Sequence, residues 1–272
     1  MPDGLPARLS RAVHAPNWFM LIMGGLIGLS WASLLLWEQS PYGRYLDHGG
    51  WGQIGLAGTI CRAVPGASVV LPLVLYAGGW VLMTAAMMLP TTFPLLQRFI
   101  LMTAGRQDLV ILVSLLVVGY LAVWFGFGLA AHAVDFGLHA AVRRWGWLIS
   151  NAWIVGAAVL ATAGLFQFSR LKYHCLDACR APFSFIVQHW RGVSARGSAF
   201  RLGVHHGVYC VGCCWAIMLL MFLVGTGNVG WMLMLGAVMA IEKNVPWGWR
   251  LSRPLGVVLV GWAVLIVGAH AG

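Results

Sequence analysis

Charge is what this sequence has least of. Only 9% of its residues are Asp, Glu, Lys or Arg, against about 25% in an ordinary soluble domain. Acidic side chains are scarcest, seven in all. With 60% of its 272 residues apolar, the chain has too little polar surface to cover a water-soluble core of its size. Familiar catalytic signatures are missing as well: there is no Walker loop, no HExxH and no G-x-S-x-G. The stretch 225–230 matches G-x-G-x-x-G literally, but no strand precedes it and no βαβ unit surrounds it, so a dinucleotide site is excluded. Internal repeats and low-complexity tracts are absent too.

What is present suits a bilayer. Fifteen tryptophans are many for a soluble chain and expected at a lipid–water boundary. Apolar runs near the roughly 20 residues that cross the hydrocarbon fall at 18–37, 68–89, 109–131, 148–168, 207–225, 230–247 and 255–269. The first follows Arg8 and Arg11 and is too long for a signal-peptide core, so it is expected to be a span. Gly24 and Gly28 would give it a small-residue face for close helix approach.

The excess of ten positive charges has a topological explanation. With the N-terminus inside, only Arg44, Arg62, Arg143 and Arg144 of the seventeen basic residues fall outside, which is the positive-inside pattern. Nucleic acid is therefore not needed as a partner; the lipid bilayer is. The expectation is an all-α polytopic membrane bundle of about seven transmembrane spans, N-terminus cytoplasmic and C-terminus outside. One interfacial amphipathic helix is expected within 173–204, where Phe183, Phe185, Ile186, Val187 and Trp190 mix with Arg180, His189 and Arg191. Residues 1–67 would be an N-terminal span and outer loop, and 68–272 the membrane-embedded domain.

The densest chemistry lies at the start of the fifth run, in His205, His206, Cys210, Cys213 and Cys214. His206, Cys210, Cys213 and Cys214 stand at i, i+4, i+7 and i+8, so a helix aligns one imidazole and three thiols in a stripe. These donors select copper(I), zinc or an iron–sulfur centre. A free Cys also packs well as a small hydrophobe, but three within five residues exceed that explanation. His174, Cys175 and Cys179 form a second cluster beyond the inner end of the fourth run, at the same expected depth. Their spacing alone matches no zinc-finger pattern. The cytoplasmic side is reducing, which leaves these thiols free for ligation or redox exchange. Cys61 stands alone on the outer side.

Accessory candidates are Met83 and Met87, on one face of the second run, and Glu242. The Glu242–Lys243 pair lies deep in the sixth run, where ionisable groups are costly and usually functional. Glu242 would be a ligand, a proton acceptor or the partner of a buried Arg or Lys. His132, Asp135 and His139 share a face at the outer end of the third run; solvated polar residues at a span exit are the simpler reading.

At these positions the chain resembles a bacterial family of predicted metal-binding integral membrane proteins. The resemblance rests on Trp80-x-x-Met83, Ala86-Met87-Met88-x-Pro90, Lys172 with Cys175, Cys179, Arg180 and Pro182, and His189-Trp190. It continues through His206-Gly207-x-Tyr209-Cys210-x-Gly212-Cys213-Cys214-Trp215, Trp231-Met232 and Glu242-Lys243-x-x-Pro246. Where that family usually has a proline before the Leu-Lys pair, this chain has Arg170. The resemblance implies metal binding.

The residues and the resemblance together predict a soft-metal site of His206, Cys210, Cys213 and Cys214, completed by Cys175, Cys179 and His174. Copper(I) is the preferred ion, with zinc or an iron–sulfur cluster as alternatives. The expected role is metal handling (binding, delivery or transport) in a bacterial inner membrane, with a metallochaperone or membrane complex as partner. Two rival readings remain: a membrane oxidoreductase using the metal or its thiols, with Arg180 activating Cys179, and a scaffold subunit whose cysteines only pack.

Overall fold

The computed structural model describes residues 17–39, 70–145, 147, 151, 153–190, 194–224 and 229–271. Among them the chain is helical, without a strand. Nine helices follow in order: α1 (Asn17–Glu38), α2 (Val70–Met102), α3 (Leu109–Arg144), α4 (Trp153–Phe166), α5 (Arg170–Arg180), α6 (Pro182–His189), α7 (Ala195–Val224), α8 (Val229–Asn244) and α9 (Ser252–Ala271), with a 3₁₀ turn at Gly248–Leu251 before the last.

Helix α7 is the hub, packed against α3, α4, α5, α6 and α8. Its approach to α3 is the closest in the bundle, because small residues recur every fourth position at Ala199, Gly203 and Gly207. A Cβ at Gly203 would collide with the Leu116 carbonyl oxygen, and one at Gly119 with that of Phe200. Such backbone contact is the usual result of a small-residue face. The face expected in α1 does not behave this way. Gly24 and Gly28 are exposed and nothing lies within 4 Å of a Cβ at either. Instead α1 turns Phe19 onto α2, its ring stacked 5.8 Å from Phe93.

Four helical stretches are long and apolar enough to cross a membrane: Ala77–Met102, Leu109–Val134, Ala195–Met221 and Gly248–His270. A fifth arises if α4 and α5, bent by 61°, form one broken span. Among the described residues, the seven spans expected from apolar runs are not supported. An apolar run measures composition, whereas a span also needs continuous helix. At 16 residues, α8 rises only about 24 Å, short of a hydrocarbon layer of about 30 Å. Among the described residues the apolar part of α1 covers Leu21–Leu36.

The single amphipathic helix expected between 173 and 204 is also corrected. That segment comprises α5 from Tyr173 onward, α6 and the first turns of α7, broken after Arg180 where Pro182 starts a new helix. A proline N–H is missing anyway at the first turn, which is why the break falls there. Phe185 and Ile186 of α6 are buried in the core rather than facing outward.

The bend between α4 and α5 sets up the site. The chain leaves helix at Gln167–Ser169, and Ser169 then caps α5 by accepting a hydrogen bond from the Lys172 amide at 3.1 Å. Arg170 thus occupies the first helical position, the one proline favours. Its departure from the family pattern leaves the helix start intact.

Candidate metal centre

Five helices contribute to one buried cluster. From α7 come Cys210, Cys213 and Cys214, each 1% exposed or less. The Cys213 and Cys214 thiols turn back onto the Cys210 carbonyl at 3.1 and 2.9 Å, the i−3 and i−4 contacts that helix geometry allows. From α5, Cys179 comes up beside Cys213. From α3, the Tyr120 hydroxyl lies 3.0 Å from Cys210 Sγ, and α2 adds Thr91.

At the centre is a cation from α8. Lys243 Nζ is 2.8 Å from Cys210 Sγ, 3.7 Å from Cys214 Sγ and 3.5 Å from Thr91 Oγ1. The residue is 6% exposed, and no carboxylate is among these neighbours.

The adjacent Glu242 serves a different cation. Its carboxylate receives Lys172 Nζ at 2.8 and 2.9 Å and the Ser252 hydroxyl at 2.7 Å. Lys172 Nζ also donates to Gln167 Oε1, so all three of its protons are placed. Lys172, Gln167 and Ser252 are fully buried and Glu242 nearly so. Of the roles open to Glu242, the geometry matches that of partner to a buried base. Arg180 does not serve Cys179 either. Its guanidinium donates to the carbonyls of Glu242, Val245 and Pro246 at 2.5, 2.9 and 2.7 Å, closing the C-terminal end of α8, where carbonyls lack helical partners.

The expected residues therefore divide. Cys179, Cys210, Cys213 and Cys214 meet. Cys175 adjoins them: a Cβ at Gly212 would stand 2.6 Å from its sulfur, so the glycine makes room for α5 against α7. His206 is buried beside the cluster, stacked on Tyr120 at 5.7 Å, and its Nδ1 has no hydrogen-bond partner. His174 is exposed, its nearest ring Tyr209 at 6.1 Å. Met83 and Met87 are buried in the core, Met87 against Gly236 of α8. Cys61 and the side chains of Asp135 and His139 lie outside the described residues. All five described cysteines are free thiols. Among the described residues, no three His, Cys, Asp or Glu side chains are arranged to hold a metal ion. The thiols gather around an ammonium instead.

Reading the sequence missed Lys172, Gln167, Ser252, Tyr120 and Thr91 as members of these two clusters. One signal was available. In a chain with seven acidic residues, a glutamate deep in an apolar run needs a cation, and Lys172 stands in the resemblance pattern beside the cysteines it helps to position.

A family model described as PpoB2, copper chaperone, matches residues 77–266, which include every residue of both clusters. No curated protein and no solved structure matches the chain.

Proposed function

The chain belongs to this copper-chaperone family, and from that premise we propose that it is an integral membrane protein that binds copper(I) at the thiols around Lys243 and passes it on. The observation that carries the reading is a buried ammonium touched by thiols and a hydroxyl, with no carboxylate of its own. A buried charge needs a partner, and Cys210 Sγ, in contact with Lys243 Nζ, would supply it as a thiolate. The site is thus balanced for sulfur in its anionic form, the form that ligates metals.

Charge also favours the ion. Copper(I) held by two thiolates leaves one net negative charge, which Lys243 neutralises in a medium where an uncompensated charge costs several kcal/mol. Zinc in a structural site takes four ligands, a grouping that the described residues lack, whereas two sulfurs suffice for copper(I). Cys210, Cys213, Cys214 and Cys179 are the proposed ligands, two of them holding the ion at a time, with Cys175 and His206 beside them. His174, Met83 and Met87 are placed further out in the proposal, as ligands met during transfer. Copper keeps its oxidation state throughout, since sulfur ligands are exchanged and no electron moves.

The membrane reading rests on the four or five helices that are long and apolar enough to cross. In this proposal the thiol cluster faces the cytoplasmic side of an inner membrane, with the N-terminus inside, where a metallochaperone or membrane complex would exchange copper with it.

The test is metal analysis of protein purified without oxygen, joined to X-ray absorption. Stoichiometric copper with sulfur neighbours is expected, and Cys210→Ser or Cys213→Ser should remove it. Copper-free wild-type protein after exposure to copper(I) would refute the proposal. The redox rival draws on the same Lys243–Cys210 contact, since a cation next to a thiol also activates it. It predicts a trappable mixed disulfide at Cys210, which copper handling does not.

A further inference from the structure

Outside the thiol cluster, two imidazoles, those of His189 and His205, line a cavity. The cavity, about 500 Å³, lies between α6 and α7 and is bounded by Gln188, His189, Ser198, Arg201 and His205. The rings of His189 and His205 approach edge to face, with centroids 4.9 Å apart.

His189 is held as a ligating imidazole is usually held. Its Nδ1 lies 2.9 Å from the Phe185 carbonyl oxygen. A carbonyl only accepts, so Nδ1 carries the proton and the lone pair is left on Nε2. Metal-bound histidines almost always make this second contact, because it fixes tautomer and ring orientation. The ring is further held by stacking on Phe185 at 4.3 Å.

A path leads inward from this pair. Phe185 also packs edge-on against His206 at 5.5 Å, and His206 stacks on Tyr120, whose hydroxyl touches Cys210 Sγ. His206 is 2% exposed with Nδ1 unpartnered, an open donor between cavity and thiols. Along α7, His205 and Cys210 are five residues apart, about 7.5 Å of rise.

We propose that His189 and His205 form a second copper(I) site, a two-imidazole loading position that receives the ion from an anionic thiol carrier and hands it through His206 to Cys210. It rests on the copper reading above and adds the route by which copper arrives. Arg201, in the cavity wall, disfavours a bare cation but meets the charge of an anionic copper–thiolate complex. On loading, two Cu–S bonds to the carrier break, two Cu–N bonds form and the carrier leaves as free thiolates; in the transfer, two Cu–N bonds break and two Cu–S bonds form. The imidazoles leave neutral, Cys210 enters as the thiolate beside Lys243, the second thiol gives up its one proton to a departing carrier thiolate, and copper remains copper(I).

Loading is measured on the full chain in detergent, with copper(I) supplied as its glutathione complex. In His189→Gln and His205→Gln, final copper at the thiols should match wild type while loading slows by roughly tenfold or more, the scale at which even a ligand-orienting group changes metal affinity. Arg201→Gln should slow loading from the glutathione complex but not from copper(I) in acetonitrile, a cationic donor. Independently, a variant with Cys175, Cys179, Cys210, Cys213 and Cys214 all changed to Ser should still take up copper(I) with nitrogen-only neighbours by X-ray absorption, and lose it when His189→Gln is added. Unchanged loading rates in both histidine variants would overturn the proposal, as would nitrogen-bound copper that survives both substitutions. If wild type bound copper through nitrogen alone, the thiol reading would fall and the imidazole site would stand.

Discussion

Two buried lysines, Lys243 of α8 and Lys172, the partner of the adjacent Glu242, are treated in opposite ways. Lys172 is saturated: a carboxylate takes two of its contacts and a glutamine oxygen the third. Lys243 has sulfur and a hydroxyl and no acidic oxygen. The first arrangement is closed and has no capacity left for another ligand. The second has its counter-charge on groups that a soft metal ion can claim, so the same side-chain chemistry is structural in one place and adjustable in the other.

The comparison is broken most forcefully from the closed side. Glu242→Gln removes the only carboxylate at Lys172, and losing one partner of a buried pair costs about 3–5 kcal/mol. Denaturant melts in detergent should show this loss, and replacing both partners with Lys172→Met and Glu242→Leu should restore most of it, because a well-packed apolar pair avoids the desolvation penalty.

Lys243→Met should do the reverse, leaving the melting midpoint nearly unchanged, since neutral thiols tolerate an apolar neighbour. Copper(I) affinity should fall, by about 10–100-fold if the ammonium contributes the roughly 1.5–3 kcal/mol of a charged hydrogen bond. Competition with a copper(I) chelator measures it. An equal loss of stability in the two variants would erase the distinction between the lysines.

Gly212→Ala sharpens the comparison by disturbing the thiol side alone. The added Cβ meets Cys175 Sγ and pushes α5 from α7, with an overpacking cost of about 1–3 kcal/mol and weaker copper binding. The mildest perturbation is Ser169→Ala, which removes the cap that starts α5 next to Lys172. A stability loss of about 1 kcal/mol is expected, with copper affinity unaltered.

Much of this was legible along the chain, for reasons that differ from residue to residue. The stripe of Cys210, Cys213 and Cys214 is a property of helical periodicity, and no tertiary contact is needed to align it. That Cys179 would approach the stripe was an expectation from placing both segments at one depth, and the structure sets it beside Cys213. The number of spans was not legible, because apolar content does not reveal where a helix bends, as after Phe166, or stops, as at Asn244. Nor was the role of Glu242: choosing among ligand, base and ion-pair partner depends on what packs against it, and Lys172 is 70 residues distant in sequence. The Gly24/Gly28 face shows the converse, a local pattern that none of the described residues packs against.

The sequence by itself determined an all-helical, charge-poor chain with thiols aligned on one helix, because composition and periodicity act within a few residues. The tertiary structure alone decided that a lysine stands among those thiols while its neighbouring glutamate serves another lysine. Burial makes every charge seek a partner, and which partner is within reach depends on how distant helices cross.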